Sequence, residues 1–305
     1  MTVQRLTTQC LSKFVTELIA RYRKYLALVA LSALGALTGC TSVQLGYNYA
    51  PALLQYQMDS YLDLNEQQEA LLSQELKQFQ SWHREDELPV YAQTLRQWAA
   101  KLEEPYTFTT EALLTKHAEL EGMLLKAGEQ SAFHLAPLVL TLTEAQRQRL
   151  REEFKQSNEE YAEEFLASGE QAQKDRLERF QERFEQWLGP LTDEQDLRLR
   201  QWLAEQPSRA KQWGEQRIVR QQALLKLLAD ARTHLSAEAA AKDLHDYFQS
   251  LSRYRVGDKQ PELDDWLQTL AGFTTSLLNS MTDKQRNHLR EELLDYAADF
   301  EALSQ

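Results

Sequence analysis

The sequence predicts an all-α protein, a multi-helix array of antiparallel helical hairpins. Three observations carry this reading: turn-formers are scarce, apolar residues recur at helical spacing, and one helix-start signature returns several times. Only 10 Gly and 7 Pro occur in 305 residues, well below the roughly 12% these two types usually make up. That scarcity argues against a many-stranded sandwich, a barrel or a Gly-rich nucleotide-binding fold. With 43% hydrophobic and 26% charged residues the chain can bury a substantial core. Two cysteines are too few for a disulfide framework.

The first element is an address. Arg21, Arg23 and Lys24 precede the uncharged run Tyr25 to Thr38, which is too short to span a bilayer core, since that takes about 20 helical residues. A basic flank before a short apolar run is the pattern of a secretory signal. The run ends in Leu37-Thr38-Gly39-Cys40, which resembles the bacterial lipobox, where the chain is cut before a lipidated cysteine. The resemblance implies that residues 1–39 are removed and Cys40 is the lipid attachment point. It further implies a short tether over 40–50, and Thr41 in place of Asp implies the outer membrane, with the protein facing the periplasm. Cleavage would leave 29 Lys+Arg against 45 Asp+Glu, a net charge of −16 compared with −12 for the whole chain. Such a surface repels nucleic acid and anionic head groups, so the expected membrane contact is the anchor alone.

A helical domain is expected over 51–305, with a possible sub-boundary near 137–142. Leu71, Leu72, Leu76 and Phe79 share one helix face, as do Leu177, Phe180, Phe184, Trp187 and Leu188, and again Leu289, Leu293, Tyr296, Ala297 and Phe300. Prolines punctuate the pattern at 89, 105, 137, 190, 207 and 261, each expected to end or kink a helix near the preceding residue. The predicted helices are 52–61, 66–103 with a kink near Pro89, 110–134, 144–168, 170–188, 193–205, 208–233, 237–253, 262–279 and 283–303. Short connections favour antiparallel neighbours. The least ordered stretches are expected at 41–50 and around Gly257 to Gln260.

Four pentads announce helix starts: Leu64-Asn65-Glu66-Gln67-Gln68, Leu142-Thr143-Glu144-Ala145-Gln146, Leu191-Thr192-Asp193-Glu194-Gln195 and Met281-Thr282-Asp283-Lys284-Gln285. Each reads as a capping box. The Asn or Thr side chain accepts from the amide three residues on, and the Gln reaches back to the cap residue's own N–H. An acid in each first turn suits the positive end of the helix. No hydrophobic staple is present, so the leading apolar residue is expected to pack into a neighbouring helix. Leu235-Ser236-Ala237-Glu238 is a degenerate fifth copy without the Gln. Spacings of 49, 44 and 46 between the later copies hint at a hairpin unit of that length.

The L-T-x-x-Q pentads resemble those of the Spy and CpxP type of periplasmic chaperones, which are all-helical and act in envelope stress. Those proteins are shorter and present a basic cradle, so the resemblance does not carry their mechanism to this acidic chain. The N-terminal part gives a second likeness. Leu45-Gly46-Tyr47-Asn48-Tyr49, then Tyr56 to Leu64, then Trp82-His83-Arg84 and Glu87-Leu88-Pro89-Val90-Tyr91-Ala92 look like a family of uncharacterised Gram-negative lipoproteins of similar length. That resemblance implies address and fold, and no activity.

Catalytic constellations do not emerge. His83 with Glu87 and His117 with Glu121 are the best metal-like pairs, each offering two ligands where zinc takes three or four. Nucleophile elbows and phosphate loops are absent, and no metal or cofactor is predicted. The tyrosines Tyr47, Tyr49, Tyr56 and Tyr61 sit in a stretch, 45–61, whose only acid or base other than Tyr is Asp59. Charge depletion with aromatic and Met enrichment is the composition of an interface core, and packing of this helix on 66–103 is the alternative. The six Trp (82, 98, 187, 202, 213 and 266) are read as core or as a ligand groove. The expected function is therefore a non-catalytic helical binding, scaffold or chaperone-like protein whose partner is a periplasmic or envelope protein. A carrier of a hydrophobic ligand in a groove between helices is the alternative, and a cell-wall-acting enzyme the second.

Overall fold

The structure, a computed structural model, describes residues 41–231, 236–252 and 260–305. The signal segment, Cys40, the Leu235 end of the fifth pentad and the Gly257 stretch lie outside the described residues. The chain divides into two compact units, residues 1–48 and 49–305. Of the first, residues 41–48 are described, the opening turns of helix α1 (Ser42–Leu62). The helices that follow are α2 (Glu66–Trp82), α3 (Leu88–Ala100), α4 (Thr110–Thr141), α5 (Glu144–Phe165), α6 (Glu170–Leu188), α7 (Asp193–Glu205), α8 (Ala210–Asp230), α9 (Ala237–Ser252), α10 (Gln260–Asn279) and α11 (Asp283–Leu303). No strand occurs among the described residues, so the protein is all-α.

Proline placement gives the main departures from expectation. The stretch 42–50, expected as a tether, is helical, and α1 runs through Pro51. Likewise α4 continues through Pro137 to Thr141 where a stop near 134 was expected. A mid-helix proline deletes one hydrogen bond and crowds the carbonyl four residues back. For Pro137 that carbonyl belongs to Phe133, a residue that is 63% exposed. On the opposite side Ala132, Ala136, Leu138 and Val139 are buried in the first core, and this burial holds the helix together. The expected sub-boundary near 137–142 is thereby removed, because Leu138 and Leu142 share one core with Leu150, Leu228 and Leu244.

Near Pro89 the expected kink is a π-turn, His83–Glu87, in which the Leu88 N–H donates to the His83 carbonyl. Pro89 then occupies the second position of α3, where no intrahelical donor is needed.

The four pentads are capping boxes at the starts of α2, α5, α7 and α11. Asn65, Thr143, Thr192 and Thr282 each accept from the amide of Gln68, Gln146, Gln195 and Gln285, whose carbonyls accept the cap N–H at 3.0–3.1 Å. The tertiary structure adds a second layer. Gln68 and Gln146 are both buried and pair their carboxamides, Gln146 Nε2 donating to Gln68 Oε1 at 2.6 Å and Gln68 Nε2 to Gln146 Oε1 at 3.2 Å. Gln195 and Gln285 do the same at 3.0 and 2.8 Å. Each amide nitrogen also bonds to the main-chain carbonyl two residues before the partner's cap, and those of Gln68 and Gln195 reach the hydroxyl of that same residue as well. The carbonyls are those of Asp63 for Gln146, Thr141 for Gln68, Ser280 for Gln195 and Pro190 for Gln285. Two helix N-termini therefore meet head to head in each clasp, with local two-fold symmetry.

The leading apolar residues pack across these clasps. Leu64 and Leu142 enter the first core, with Leu72 and Leu150, while Leu191 and Met281 pack on the second, with Leu199 and Leu289. Within the second core Trp202 lies nearly parallel to Phe273 at 4.5 Å. Sequential helices α6 with α7 and α8 with α9 pack together, but the most extensive contacts join distant segments, α4 with α9 and α3 with α11. At the second of these, Arg84 Nη1 donates to the Leu303 carbonyl at the end of α11 (3.0 Å). The degenerate pentad does the local task alone: Ser236 Oγ accepts from the Ala239 N–H.

The clasp and the cap are separable by mutation. Thr192→Ala should cost about 0.5–2 kcal/mol, the usual value of an N-cap. Gln195→Glu keeps an acceptor for the cap but loses every donation of the amide nitrogen and sets a carboxylate against the carbonyls of Gln285 and Ser280, so about 3 kcal/mol is expected at pH 7. Burial raises that new carboxyl's pKa above its ordinary value near 4.3. The loss should therefore shrink as pH falls toward 4. Urea unfolding of both variants at pH 7 and 4 measures this, and equal costs for both at pH 7 would show that only capping matters.

Candidate functional site

Helix α1 is positioned by its C-terminal turn. Asp63 takes a positive φ of 52°, its N–H donates to the Asp59 carbonyl at 2.7 Å, and Asp59 Oδ1 accepts from the Leu64 N–H at 2.8 Å. Arg149 Nη2 from α5 donates to the Ser60 carbonyl. The one ionisable acid of this stretch is thus used to hold the turn, not to make chemistry.

The turn fixes which side of α1 meets the body of the domain. Met58, Tyr61 and Leu62 pack on the first core, and the Tyr61 ring meets Phe154 of α5 with centroids 6.0 Å apart. Tyr49, Leu53 and Tyr56 advance by four and three, forming a stripe that points away from that core: they are 61%, 60% and 74% exposed. Leu54 beside them is 48% exposed. The four sequence-predicted tyrosines therefore separate. Tyr49 and Tyr56 stand in solvent, Tyr61 is half-buried core, and Tyr47, half-buried, lies in the first unit. Packing of the whole helix on 66–103 is not what the structure shows for this stripe.

Beneath the C-terminal end of α1 an apolar pocket of about 360 Å³ opens between α4, α5, α8 and α9. Met58, Tyr61, Leu138, Phe154, Leu224 and Tyr247 are among its walls. Polar groups there are few. The Tyr247 hydroxyl donates to the Arg220 carbonyl at 3.3 Å, and burial pushes that phenol above its ordinary pKa. A lining of aliphatic, aromatic and thioether groups suits an uncharged, flexible guest.

Buried acids were the remaining signal for catalysis. Glu75 pairs with His134 Nδ1 at 2.8 Å, and Glu87, fully buried at the end of the π-turn, pairs with Lys126. Neither acid lines the apolar pocket. His83 and Glu87 share the π-turn, with the His83 ring between Phe79 and Tyr91. His117 stands exposed on α4. No group of three or more His, Cys, Asp or Glu gathers as a metal site among the described residues. What sequence reasoning missed is that the four cap glutamines it named pair with one another. Their signal was present: all four pentads carry Gln where Glu would cap equally well, and only Gln has the NH₂ group that the clasp needs.

The described residues thus form an all-α domain with clasped helix starts and an exposed aromatic stripe on α1. Over residues 60–252 the chain matches the model of a family of unknown function (DUF6279), and it belongs to that family. The match contains the whole of the first clasp and the Gln195 side of the second, and begins after Tyr56. No curated protein and no solved structure matches the chain.

Two measurements follow from this geometry. Tyr56→Ser should leave thermal stability within about 0.5 kcal/mol of wild type, as at other exposed sites, whereas Tyr61→Ser should cost about 2 kcal/mol or more by opening the Phe154 contact. His83 gives a pH dependence. Burial holds its imidazole below the ordinary value of 6.5, against the opposing pull of Glu87. The unfolded chain therefore takes up this proton first, so the contribution of neutral His83 is present above pH 6.5 and lost as pH falls below it. His83→Phe should flatten the stability decline between pH 7 and 5, measured by urea unfolding.

Proposed function

We propose that the protein is a lipoprotein anchored through Cys40 to the outer membrane, where it works by binding a periplasmic or envelope protein and not by turnover. The observation that carries the binding reading is the exposed stripe Tyr49, Leu53 and Tyr56 on α1, in a stretch without a charged side chain from residue 49 to 58. Exposed aromatic side chains on an uncharged stretch of helix supply large, low-entropy contact area, the composition of interface hot spots. Support for the address comes from the basic flank, apolar run and lipobox-like Leu37-Thr38-Gly39-Cys40. Support for a chaperone-like or scaffold role comes from the L-T-x-x-Q pentads.

Cys40→Ala should carry no palmitate label and remain uncleaved. Normal labelling of that variant would remove the anchor from the reading. A photo-crosslinking residue at 49, 53 or 56 should capture a discrete partner in native outer membranes, and one at the exposed position 218 on α8 should not. Tyr49→Ser with Tyr56→Ser should abolish the adduct formed from position 53 while the domain still melts cooperatively.

A second reading, a carrier of a hydrophobic ligand, rests on the apolar pocket of about 360 Å³. Its volume suits one flexible hydrocarbon chain. Binding of the uncharged probe N-phenyl-1-naphthylamine that is lost in Met58→Phe would support it; equal binding in both proteins would not.

A further inference from the structure

A second, larger groove of about 990 Å³ lies elsewhere in the molecule, among the C-terminal end of α5, the start of α6, the end of α7 and the start of α8, with Trp266 of α10. Its walls combine two chemistries. Tyr161, Phe165, Phe180, Trp213 and Trp266 supply aromatic faces, and Arg176, Arg179 and Arg209 supply guanidinium groups. The Arg179 guanidinium sits over the Phe165 ring at 5.3 Å and Arg209 over Trp266 at 5.8 Å.

These three arginines differ from most cations of the chain. Lys226 and Lys242 meet Asp230 and Asp246 at 2.7 and 2.6 Å, and Arg198 and Arg286 meet Glu194 and Asp283. Arg176, Arg179 and Arg209 form no ion pair among the described residues, in a sequence with 46 acids. Arg176 spends Nη1 on the Leu203 and Gln206 carbonyls (3.3 and 2.8 Å) at the end of α7. Burial, and then the neighbouring Arg179, push its guanidinium below the ordinary pKa. Arg209 gives Nη1 to Gln212 at 3.1 Å, while its Nε is buried without an acceptor.

The backbone adds to the positive potential. At both helices that start at this groove the N-cap residue, Gly169 before α6 and Arg209 before α8, makes no side-chain cap bond of the kind found at the four clasped starts; at α8 only Ser208 Oγ accepts, from the Ala210 N–H at 3.3 Å. Uncapped amides at a helix start favour an anion. The sign of the surroundings sets a limit on that anion. Glu164, Glu170 and Asp175 also line the groove, and the chain as a whole is at −12. A polyanion would be repelled, while a single anionic head can reach the arginines.

We infer that this groove binds a small anionic amphiphile, its phosphate or carboxylate head on Arg179 and Arg209 and its apolar body on the rings of Phe165, Trp213 and Trp266. Guanidinium groups suit both head groups because their paired N–H donors match two oxygens. The rings supply the apolar contact, and the groove volume falls at the upper end of that of small-molecule sites.

The test is a tryptophan-fluorescence titration of the full chain in a constant neutral detergent with octyl phosphate, octanoate, octyltrimethylammonium and the peptide Glu-Phe-Glu-Phe. At least one of the two anions should bind tenfold or more tightly than octyltrimethylammonium. Tighter binding of octyl phosphate would identify a phosphate head as the natural one, and tighter octanoate binding a carboxylate. Arg179→Gln with Arg209→Gln should remove the tenfold preference, while Met58→Phe in the separate apolar pocket should leave it unchanged. Equal affinity for the cation, an unchanged preference in the double variant, loss of the preference in Met58→Phe, or tighter binding of the peptide than of either amphiphile would overturn the inference. Should the double variant fail to melt cooperatively, Arg179→Glu alone, at an exposed position, should weaken anion binding at least fivefold, and unchanged affinity there overturns it equally.

Discussion

The carboxamide pair is the contact on which the rest of the arrangement depends. Gln68 with Gln146, and Gln195 with Gln285, each bring together two helix starts that are 78 and 90 residues apart along the chain. Meeting head to head is electrostatically unfavourable, since each start carries roughly half a positive charge. The first-turn acids Glu66, Glu144, Asp193 and Asp283 offset it. Because the four glutamines are buried, each of their polar atoms must be satisfied within the protein. A slip of one residue in either helix would leave a carbonyl or an amide of the pair without its partner. The clasp therefore sets register, and each of its bonds contributes about 1 kcal/mol net.

From that fixed point the cores follow. Leu64 and Leu142 are carried inward by the first clasp, Leu191 and Met281 by the second, so the apolar stripes of α2, α5, α7 and α11 begin in the core from their first residue. In the first core the long helix α4 supplies the common wall for α2 and α9, and the pocket beneath α1 lies where the side chains of α4, α5, α8 and α9 do not fully meet. Met58 and Tyr61 reach into that space from α1. The same geometry leaves the opposite stripe of α1, from Tyr49 to Tyr56, largely exposed. The proposed binding face is thus a consequence of how the C-terminal turn at Asp59 and Asp63 orients the helix.

Capping also separates two kinds of helix start. Four starts are closed by side chains and paired with one another, which takes up their positive ends. Those of α6 and α8 have no cap bond from the N-cap side chain, and they lie at the groove that gathers Arg176, Arg179 and Arg209. Three guanidinium groups that form no ion pair among the described residues therefore line the same groove as two helix starts, together with the acids Glu164, Glu170 and Asp175.

Helix identity was legible in the sequence because it rests on local terms. The threonine or asparagine with glutamine three residues on fixed the starts at Glu66, Glu144, Asp193 and Asp283, and Gly189-Pro190 marked the end of α6. Local rules misjudged Pro51 and Pro137, because a lost hydrogen bond of a few kcal/mol is outweighed where the adjacent face is buried; for Pro137, Ala136 and Leu138 bury that face. The exposure of Tyr49 and Tyr56 and the burial of Tyr61 were equally beyond the sequence, since all three share one composition and differ only in what α1 packs against. The glutamine pairing was half legible: four glutamines where glutamate would serve show that the NH₂ group matters, yet not which pentad meets which. That choice is made by tertiary packing, because buried amides are satisfied only when both partners arrive, and the chain between them leaves no local trace of the encounter.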